Sequence, residues 1–165
     1  YGMDTLLNQS ILALNTNKPE ETQELGKSIG GLLSGGEVVL LIGELGTGKT
    51  TLTQGIAKGL EIEEYTKSPT FVLVHEYQGR LHLNHIDLYR IEGDLEAWDI
   101  GIEEYLTGSG VSVIEWADRA PRIYPDDRLI VKLASGSDTN RQFHITGEGE
   151  RSITIVNALK EMSFE

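Results

Sequence analysis

The sequence predicts an α/β fold, a three-layer sandwich in which helices cover both faces of a mixed, mainly parallel sheet. Three observations predict it. The continuous apolar run at 38–42 is typical of a strand buried on both faces of a sheet. Amphipathic helical patterns flank that run on either side, at 19–33 and 49–60. Two alternating segments joined at Gln78-Gly79 predict an antiparallel hairpin within the same sheet.

Each element has its own signal along the chain. Pro19, followed by two glutamates, predicts a helix start, and Gly35-Gly36 ends that helix. Apolar residues at helical spacing from Leu95 to Tyr105 predict one helix across an acidic segment. The other predicted elements are the hairpin strands at 71–77 and 81–87, strands at 111–116, 129–133 and 142–145, and a closing helix at 153–162.

Composition limits the functional classes. A chain of 165 residues fits one domain, which we assign to 3–165, with Tyr1 and Gly2 interpreted as a cloning remnant ahead of Met3. No long apolar run and no charged-then-apolar leader stands in the sequence, so we expect neither a membrane span nor a signal peptide. The absence of cysteine excludes disulfides and thiolate chemistry, and it fits a cytoplasmic location.

The net charge of −12 is unevenly distributed. Residues 61–120 hold 13 acidic and four basic side chains. Because a phosphate backbone attracts the opposite sign, we do not expect this chain to bind nucleic acid alone over a wide face. The segment 92–104 contains acids but no lysine or arginine. This segment is either a solvated helix face or a docking surface for a basic partner.

The segment from Gly43 to Thr50 matches the complete phosphate-binding pattern G-x-x-x-x-G-K-[ST], the P-loop. Glycines let backbone N–H groups wrap a triphosphate, and the next helix presents its positive end to the phosphates. We expect Lys49 to reach the β- and γ-phosphates and the Thr50 hydroxyl to ligate Mg²⁺. The fold is therefore P-loop NTPase-like, with ATP and Mg²⁺ as cofactors. The predicted binding residues in this loop are Gly43, Glu44, Leu45, Gly46, Thr47, Gly48, Lys49, Thr50 and Thr51.

Two acids end apolar strands, Asp87 and Glu115. Ligands of open α/β sheets bind at the carboxyl ends of strands, so these acids are candidates for the Mg²⁺ shell and for orienting water. The alternative is that they are ordinary acids at loop edges. His85 and Arg90 flank Asp87, and we interpret the histidine as a packing residue. Thr70 lies where a switch segment could sense phosphate, although Ser68-Pro69-Thr70 also fits a proline turn that starts a strand.

Four segments, in this order and spacing, resemble the TsaE (YjeE) family of ATPases over about residues 19 to 145. D-L-Y-R and I-E-W are the specific parts; the segments are 43–51, 68–71, 85–90 and 114–116. The resemblance implies a cytoplasmic Mg-dependent ATPase required for threonylcarbamoyl modification of adenosine 37 in tRNA. It implies action with the TsaB–TsaD complex, contact with tRNA only through partners, no membrane association, and an isolated monomer.

By the same motifs, the resemblance implies that Thr50 and Glu115 serve Mg²⁺, that Asp87 takes the Walker-B-like position and that Trp116 lies next to the nucleotide. With Lys49, the two acids are the predicted catalytic residues. Two candidates for adenine contact are Asn140 and Arg141. The chain departs from the family pattern at Thr47, where Ala is common, and at Ala117-Asp118, where Pro-Glu is frequent.

Three other classes stay open on the residues alone. A small-molecule P-loop kinase would need an arginine-bearing lid, for which Arg119 and Arg122 are available. A GTPase-like switch would need N/T-K-x-D late in the chain, whereas Asn17-Lys18-Pro19-Glu20 precedes the P-loop and lacks the Asp. A nucleotide-binding interaction module would show negligible turnover. As an ATPase, the isolated chain is expected to be slow and partner-stimulated.

Overall fold

The computed structural model describes residues 8–44, 47–65 and 73–162. Within these residues the chain forms seven strands, five α-helices and one 3-10 turn. In order they are β1 (Gln9–Thr16), α1 (Pro19–Leu32), β2 (Val38–Ile42), α2 (Lys49–Gly59), β3 (Val74–Gln78), β4 (His82–Asp87), α3 (Asp94–Asp99), α4 (Ile102–Leu106), β5 (Val111–Glu115), the 3-10 turn (Ala117–Arg119), β6 (Arg128–Ser135), β7 (Arg141–Glu148) and α5 (Glu150–Glu161).

The strands form one mixed sheet in the order β1-β7-β6-β2-β5-β4-β3. In the middle, β2 pairs in parallel with β6 and β5, and β5 pairs in parallel with β4. Antiparallel pairs flank this centre, β1–β7 and β7–β6 on one side and β4–β3 on the other. The apolar run at 38–42 is therefore the central strand, and the predicted α/β fold with its hairpin is confirmed.

Helices cover both faces of the sheet. Val39 and Leu41 of β2 lie in the core cluster that includes residues of α1, α2 and α5. Val38 and Leu40 lie in the second cluster, with residues of α3, α4 and the 3-10 turn. Because alternate residues of β2 face opposite layers, a strand in this position must be apolar at every residue. No helix of the described residues is both long and apolar enough to cross a membrane.

Three elements differ from the sequence prediction. Strand β1 was not predicted at all, and it forms an edge of the sheet against β7. The predicted single helix at 95–105 is wrong: it divides into α3 and α4 because Gly101, with a φ of 79°, takes the left-handed conformation between them. The first predicted hairpin strand is described from Val74, and its residues 71 and 72 lie outside the described residues.

Helices α1 and α2 pack backbone to backbone through four glycines. A Cβ built at Gly26 or Gly30 would overlap a carbonyl oxygen of α2. A Cβ built at Gly55 or Gly59 would likewise overlap a carbonyl oxygen of α1. We call these four residues the glycine seam. The seam fixes α2, the helix that begins at the P-loop lysine, directly against the backbone of α1.

We expect Gly30→Ala and Gly31→Ala to change stability in opposite directions. The added methyl at Gly30 would collide with the Ile56 carbonyl, which should cost about 1–3 kcal/mol or more. At Gly31 a Cβ would meet no described atom within 4 Å, so the better helix propensity of alanine should add about 0.5–1 kcal/mol. Urea denaturation of the two variants measures both changes. Equal effects at the two neighbouring positions would contradict the close contact of the helices.

Candidate nucleotide-binding site

The P-loop leads from the end of β2 into the start of α2. A Cβ at Gly43 would lie 2.7 Å from the carbonyl oxygen of Leu133, so β6 leaves no room there for a side chain. Thr47 is buried and donates its hydroxyl to the carbonyl of Glu44 at 2.7 Å. Gly48 has a φ of 100°, the left-handed region that favours glycine. These contacts fold the loop tightly; Leu45 and Gly46 of the motif lie outside the described residues.

Lys49 is the first residue of α2, and only 5% of it is exposed. Its ammonium donates to the carbonyl of Gly43 at 2.5 Å and lies 3.5 Å from the centre of the Trp116 ring. Burial lowers the pKa of Lys49, while the negative charges of Glu115, Asp87 and Asp118 oppose that change. The lysine charge is therefore held beside the loop and within reach of these acids. Thr50 and Thr51 follow it in the first turn of the helix.

Asp87 and Glu115 stand side by side at the ends of two neighbouring parallel strands. They are partners in the β4–β5 register, and the Leu88 N–H donates to the Glu115 carbonyl at 3.0 Å. Asp87 accepts the Tyr89 N–H at 2.9 Å. Burial raises the pKa of Asp87, opposed by that N–H and reinforced by the charge of Glu115. A cation beside these two carboxylates would offset both the cost of burying the charge of Asp87 and the repulsion of that charge by Glu115.

The donor set fits a magnesium ion that also takes ligands from a substrate. Within residues 8–44, 47–65 and 73–162, no three histidine, cysteine, aspartate or glutamate side chains gather into a group that could hold a metal ion. Mg²⁺ does not need such a cage, because it commonly binds through one or two carboxylates, phosphate oxygens and water. Asp87, Glu115 and the Thr50 hydroxyl are the residues that would hold it here.

Trp116 turns the chain immediately after β5. Its backbone is left-handed, with a φ of 58°, and its ring packs edge-on against Tyr89 with 5.0 Å between ring centres. The Arg119 guanidinium lies 5.3 Å from the Trp116 ring and 5.5 Å from the Tyr89 ring. Trp116 lies beside Lys49, the lysine of the P-loop. Its predicted position next to the nucleotide stays a prediction. Arg119, named from the sequence only as a candidate lid residue of a kinase, is thus a further cation near the site.

Asn140 and Arg141, predicted to contact adenine, lie where three segments of the chain meet. Asn140 donates its side-chain amide to Asn17 at 2.8 Å, which joins the β6–β7 turn to the β1–α1 turn. The Arg141 guanidinium donates to the carbonyls of Asp138 and Asn140. Arg141 Cγ is 3.9 Å from a Cβ built on Gly48, so its side chain lies beside the end of the P-loop. Contact of either residue with adenine stays a prediction.

His85 was interpreted from the sequence as a packing residue, and the structure gives it a polar partner. It is 6% exposed, and its Nε2 lies 2.5 Å from a carboxylate oxygen of Glu115. Its Nδ1 lies 3.2 Å from the hydroxyl of Tyr65, a residue the sequence did not single out. Thr70 and the rest of the predicted switch segment, Ser68 to Phe71, lie outside the described residues.

A central strand, a tight glycine-rich loop and a helix that starts with a buried lysine define the P-loop class of α/β proteins. The sequence model of one family within that class, described as threonylcarbamoyl adenosine biosynthesis protein TsaE, matches residues 16–143. The chain belongs to this family, which confirms the resemblance drawn from the motifs.

Comparison with individual proteins supports the same family assignment. A tRNA threonylcarbamoyladenosine biosynthesis protein TsaE of Bacillus subtilis is 40% identical over 141 residues, 85% of this chain and 88% of that protein. The protein of the same name from Nostoc is 45% identical over 132 residues, 77% of this chain and 80% of its own. The crystal structure of Bacillus subtilis YdiB is 33% identical, with a TM-score of 0.78 over 92% of this chain and 95% of that one.

Proposed function

We propose that this protein binds ATP with Mg²⁺ and hydrolyses it in support of the threonylcarbamoyl modification of adenosine 37 in tRNA. The observation that carries the proposal is the convergence of Lys49, Asp87 and Glu115 at one end of the parallel strands, beside the P-loop. Phosphoryl transfer depends mainly on positioning and on charge around the phosphates, and these three residues supply both. The names of the Bacillus and Nostoc relatives support the biosynthetic role.

Each residue has a role in this proposal. Lys49 leaves its contact with the Gly43 carbonyl and binds the β- and γ-phosphate oxygens. Thr50, Asp87 and Glu115 would hold Mg²⁺, and the ion would neutralise charge on the phosphates. One of the two carboxylates orients the attacking water. Asn140 and Arg141 border the adenine, and Trp116 packs beside the nucleotide once Lys49 has moved from its ring to the phosphates.

The proposal includes a protein partner, the TsaB–TsaD complex, and a cytoplasmic location. The segment 92–104, which we call the acidic face, exposes Glu96, Asp99, Glu103 and Glu104. The same segment exposes 76% of Leu95 and 42% of Trp98, so it combines negative charge with apolar surface. Charge of one sign speeds encounter with a partner of opposite sign, and apolar groups add contact area. The acidic face is thus the candidate docking surface, and tRNA is reached only through the partner.

Turnover of ATP with and without purified TsaB–TsaD tests the function directly. We expect slow basal hydrolysis and stimulation by the complex. The double variant Glu103→Lys/Glu104→Lys should lose much of the stimulation, because it reverses charge on the acidic face, while basal turnover and ATP affinity stay unchanged. Glu20→Lys/Glu24→Lys is the matched control, since it makes the same charge change on exposed positions of α1, across the sheet.

Two outcomes would count against this proposal. Fast basal hydrolysis that TsaB–TsaD does not alter would remove partner control. Full stimulation of the Glu103/Glu104 variant would place the docking surface elsewhere. Calorimetry with ATP and GTP distinguishes the proposed ATPase from a GTPase-like switch, which would prefer GTP. A screen of small-molecule acceptors distinguishes it from a kinase, which would phosphorylate one of them. An interaction module would bind ATP without measurable turnover under either condition.

Tryptophan fluorescence is expected to report nucleotide binding through Trp116. The chain has two tryptophans, and Trp98 stands on the acidic face, in α3. ATP displaces the Lys49 ammonium from the face of the Trp116 ring in our proposal, so the emission of Trp116 should change. The change should persist in Trp98→Phe and disappear in Trp116→Phe. A signal that survives Trp116→Phe unchanged would place Trp116 away from the nucleotide.

A further inference from the structure

We propose that His85 is a positioning residue for ATP hydrolysis, which fixes the carboxylate of Glu115 through its Nε2–H and is itself held by Tyr65. This inference rests on the proposed function, because the position of Glu115 matters only if a reaction takes place beside it. His85 does not touch the nucleotide in this proposal. It acts through Glu115.

The His85–Glu115 contact crosses from β4 to β5 inside the protein. The Nε2 and Oε2 atoms are 2.5 Å apart, and the two side chains are 7% and 11% exposed. A hydrogen bond to a carboxylate is among the stronger ones in proteins, and exclusion of water strengthens it further. Glu115 therefore cannot rotate about its side-chain bonds without losing this partner. One of its oxygens, Oε2, is engaged within the protein, which leaves Oε1 for a metal ion or a water.

The second nitrogen of His85 determines the direction of the hydrogen bonds. When Nε2 carries the proton that is donated to Glu115, the Nδ1 of a neutral ring is an acceptor. The Tyr65 hydroxyl lies 3.2 Å from Nδ1, and in this tautomer it is the donor. Burial raises the pKa of Tyr65, and the negative charge of Glu115 adds to the effect, so the hydroxyl keeps its proton. The hydrogen bonds then run in one direction, from Tyr65 to His85 to Glu115.

Ring packing holds Tyr65 and His85 in place. The Tyr65 ring is 4.9 Å from the Tyr77 ring, and it stacks on the His85 ring with 6.1 Å between centres. A histidine whose free nitrogen is bonded to a second group has a fixed tautomer and a fixed ring orientation, as in the acid–histidine pairs of other enzymes. Both ring nitrogens of His85 have such a partner, Glu115 at Nε2 and Tyr65 at Nδ1. Its effect should be on the rate of the chemical step and not on the affinity for ATP.

The experiment compares His85→Leu with His85→Gln. Leucine removes the donor at similar volume, whereas glutamine keeps an N–H that can reach Glu115. We expect His85→Leu to lose about 10- to 100-fold in turnover, as for other residues that orient a ligating side chain, with the Kd for ATP within about twofold of wild type. His85→Gln should recover a large part of the loss. Tyr65→Phe should show a smaller loss of turnover.

The matched control is His75→Leu. His75 is the partner of His85 in the β3–β4 register, and among the described residues its buried Nε2 has no hydrogen-bond partner. The same substitution there should leave turnover unchanged. Thermal melting of each variant shows whether the fold is retained. Wild-type turnover in His85→Leu would overturn the proposal, as would equal losses in the folded leucine and glutamine variants.

A second measurement separates this inference from the proposed function. In long-range proton–nitrogen NMR spectra, His85 should show the proton on Nε2 that it donates to Glu115, and its signals should shift in Glu115→Gln. If the wild type hydrolyses no ATP with or without TsaB–TsaD, the proposed function fails. The NMR result then still decides the hydrogen bonding: a proton on Nδ1, or signals unchanged in Glu115→Gln, would overturn the assignment of His85.

Discussion

Lys49→Ala is expected to weaken the binding of ATP–Mg²⁺ by about 100-fold or more. The substitution removes a cation that lies at the P-loop, and hydrogen bonds to charged groups contribute roughly 1.5–3 kcal/mol each. The protein should remain folded, because burial already disfavours the charged form of the lysine. Isothermal titration calorimetry measures the affinity of both proteins under the same conditions.

Lys58→Ala is the control for this prediction. Lys58 lies in the last turn of the same helix, where its exposed ammonium bonds to the Gln23 side chain at 2.6 Å. Its removal should leave ATP affinity unchanged. Thr50→Ala adds a separate comparison, since it should weaken Mg²⁺-dependent binding more than metal-free binding. If Lys49→Ala bound ATP–Mg²⁺ as tightly as wild type, the P-loop assignment would be wrong.

Asp87→Asn and Glu115→Gln are each expected to lower ATP turnover by about 100-fold or more. Both substitutions keep the shape of the side chain and remove the charge that would hold Mg²⁺ or orient water. The melting temperature of Asp87→Asn should equal or slightly exceed that of wild type. Burial and the charge of Glu115 disfavour the ionised carboxylate, while the asparagine oxygen still accepts the Tyr89 N–H. Turnover assays and thermal melting together check the pair of results.

Asp118→Asn is the matched control for the two carboxylates. Asp118 is exposed, and its charge also acts on Lys49, but it follows the turn at Trp116 and does not end a strand. We expect its turnover to fall by no more than a few-fold. Undiminished turnover in both Asp87→Asn and Glu115→Gln would exclude a site built on these carboxylates.

The parts of the fold that the sequence predicted are those with a local signal. The central strand at 38–42 is apolar on both faces, and the P-loop follows it within a few residues. Strand β1 has no such signal, because its inward positions include Ser10 and Thr16 while Ile11 faces outward. Those two buried hydroxyls bond to Asn157 and Thr22. Such partners are known only when the tertiary structure is known.

The same limit applies to the site. Asp87 and Glu115 were found because each ends an apolar strand, and parallel strands bring their carboxyl ends to one edge of a sheet. The contact of His85 with Glu115 depends on which strands are neighbours, and motif spacing does not give that information. Arg119 reaches the rings of Trp116 and Tyr89 because the chain turns through the left-handed conformation at Trp116. This conformation is uncommon for residues other than glycine, so a tryptophan in the sequence does not predict it.

The pairing of β1 with β7 has a consequence for how the protein is made. Gln9 bonds to Glu148 across 139 positions, and Thr139 bonds to Asn17 across 122. During synthesis the P-loop and its helix leave the ribosome long before β7 does. Strand β1 must remain unpaired until β7, its partner, has been synthesised. Closing the long loop between the two strands is then slow. Nascent chains that already contain the P-loop therefore lack the junction of Asn17, Asn140 and Arg141, and the candidate nucleotide site is completed late.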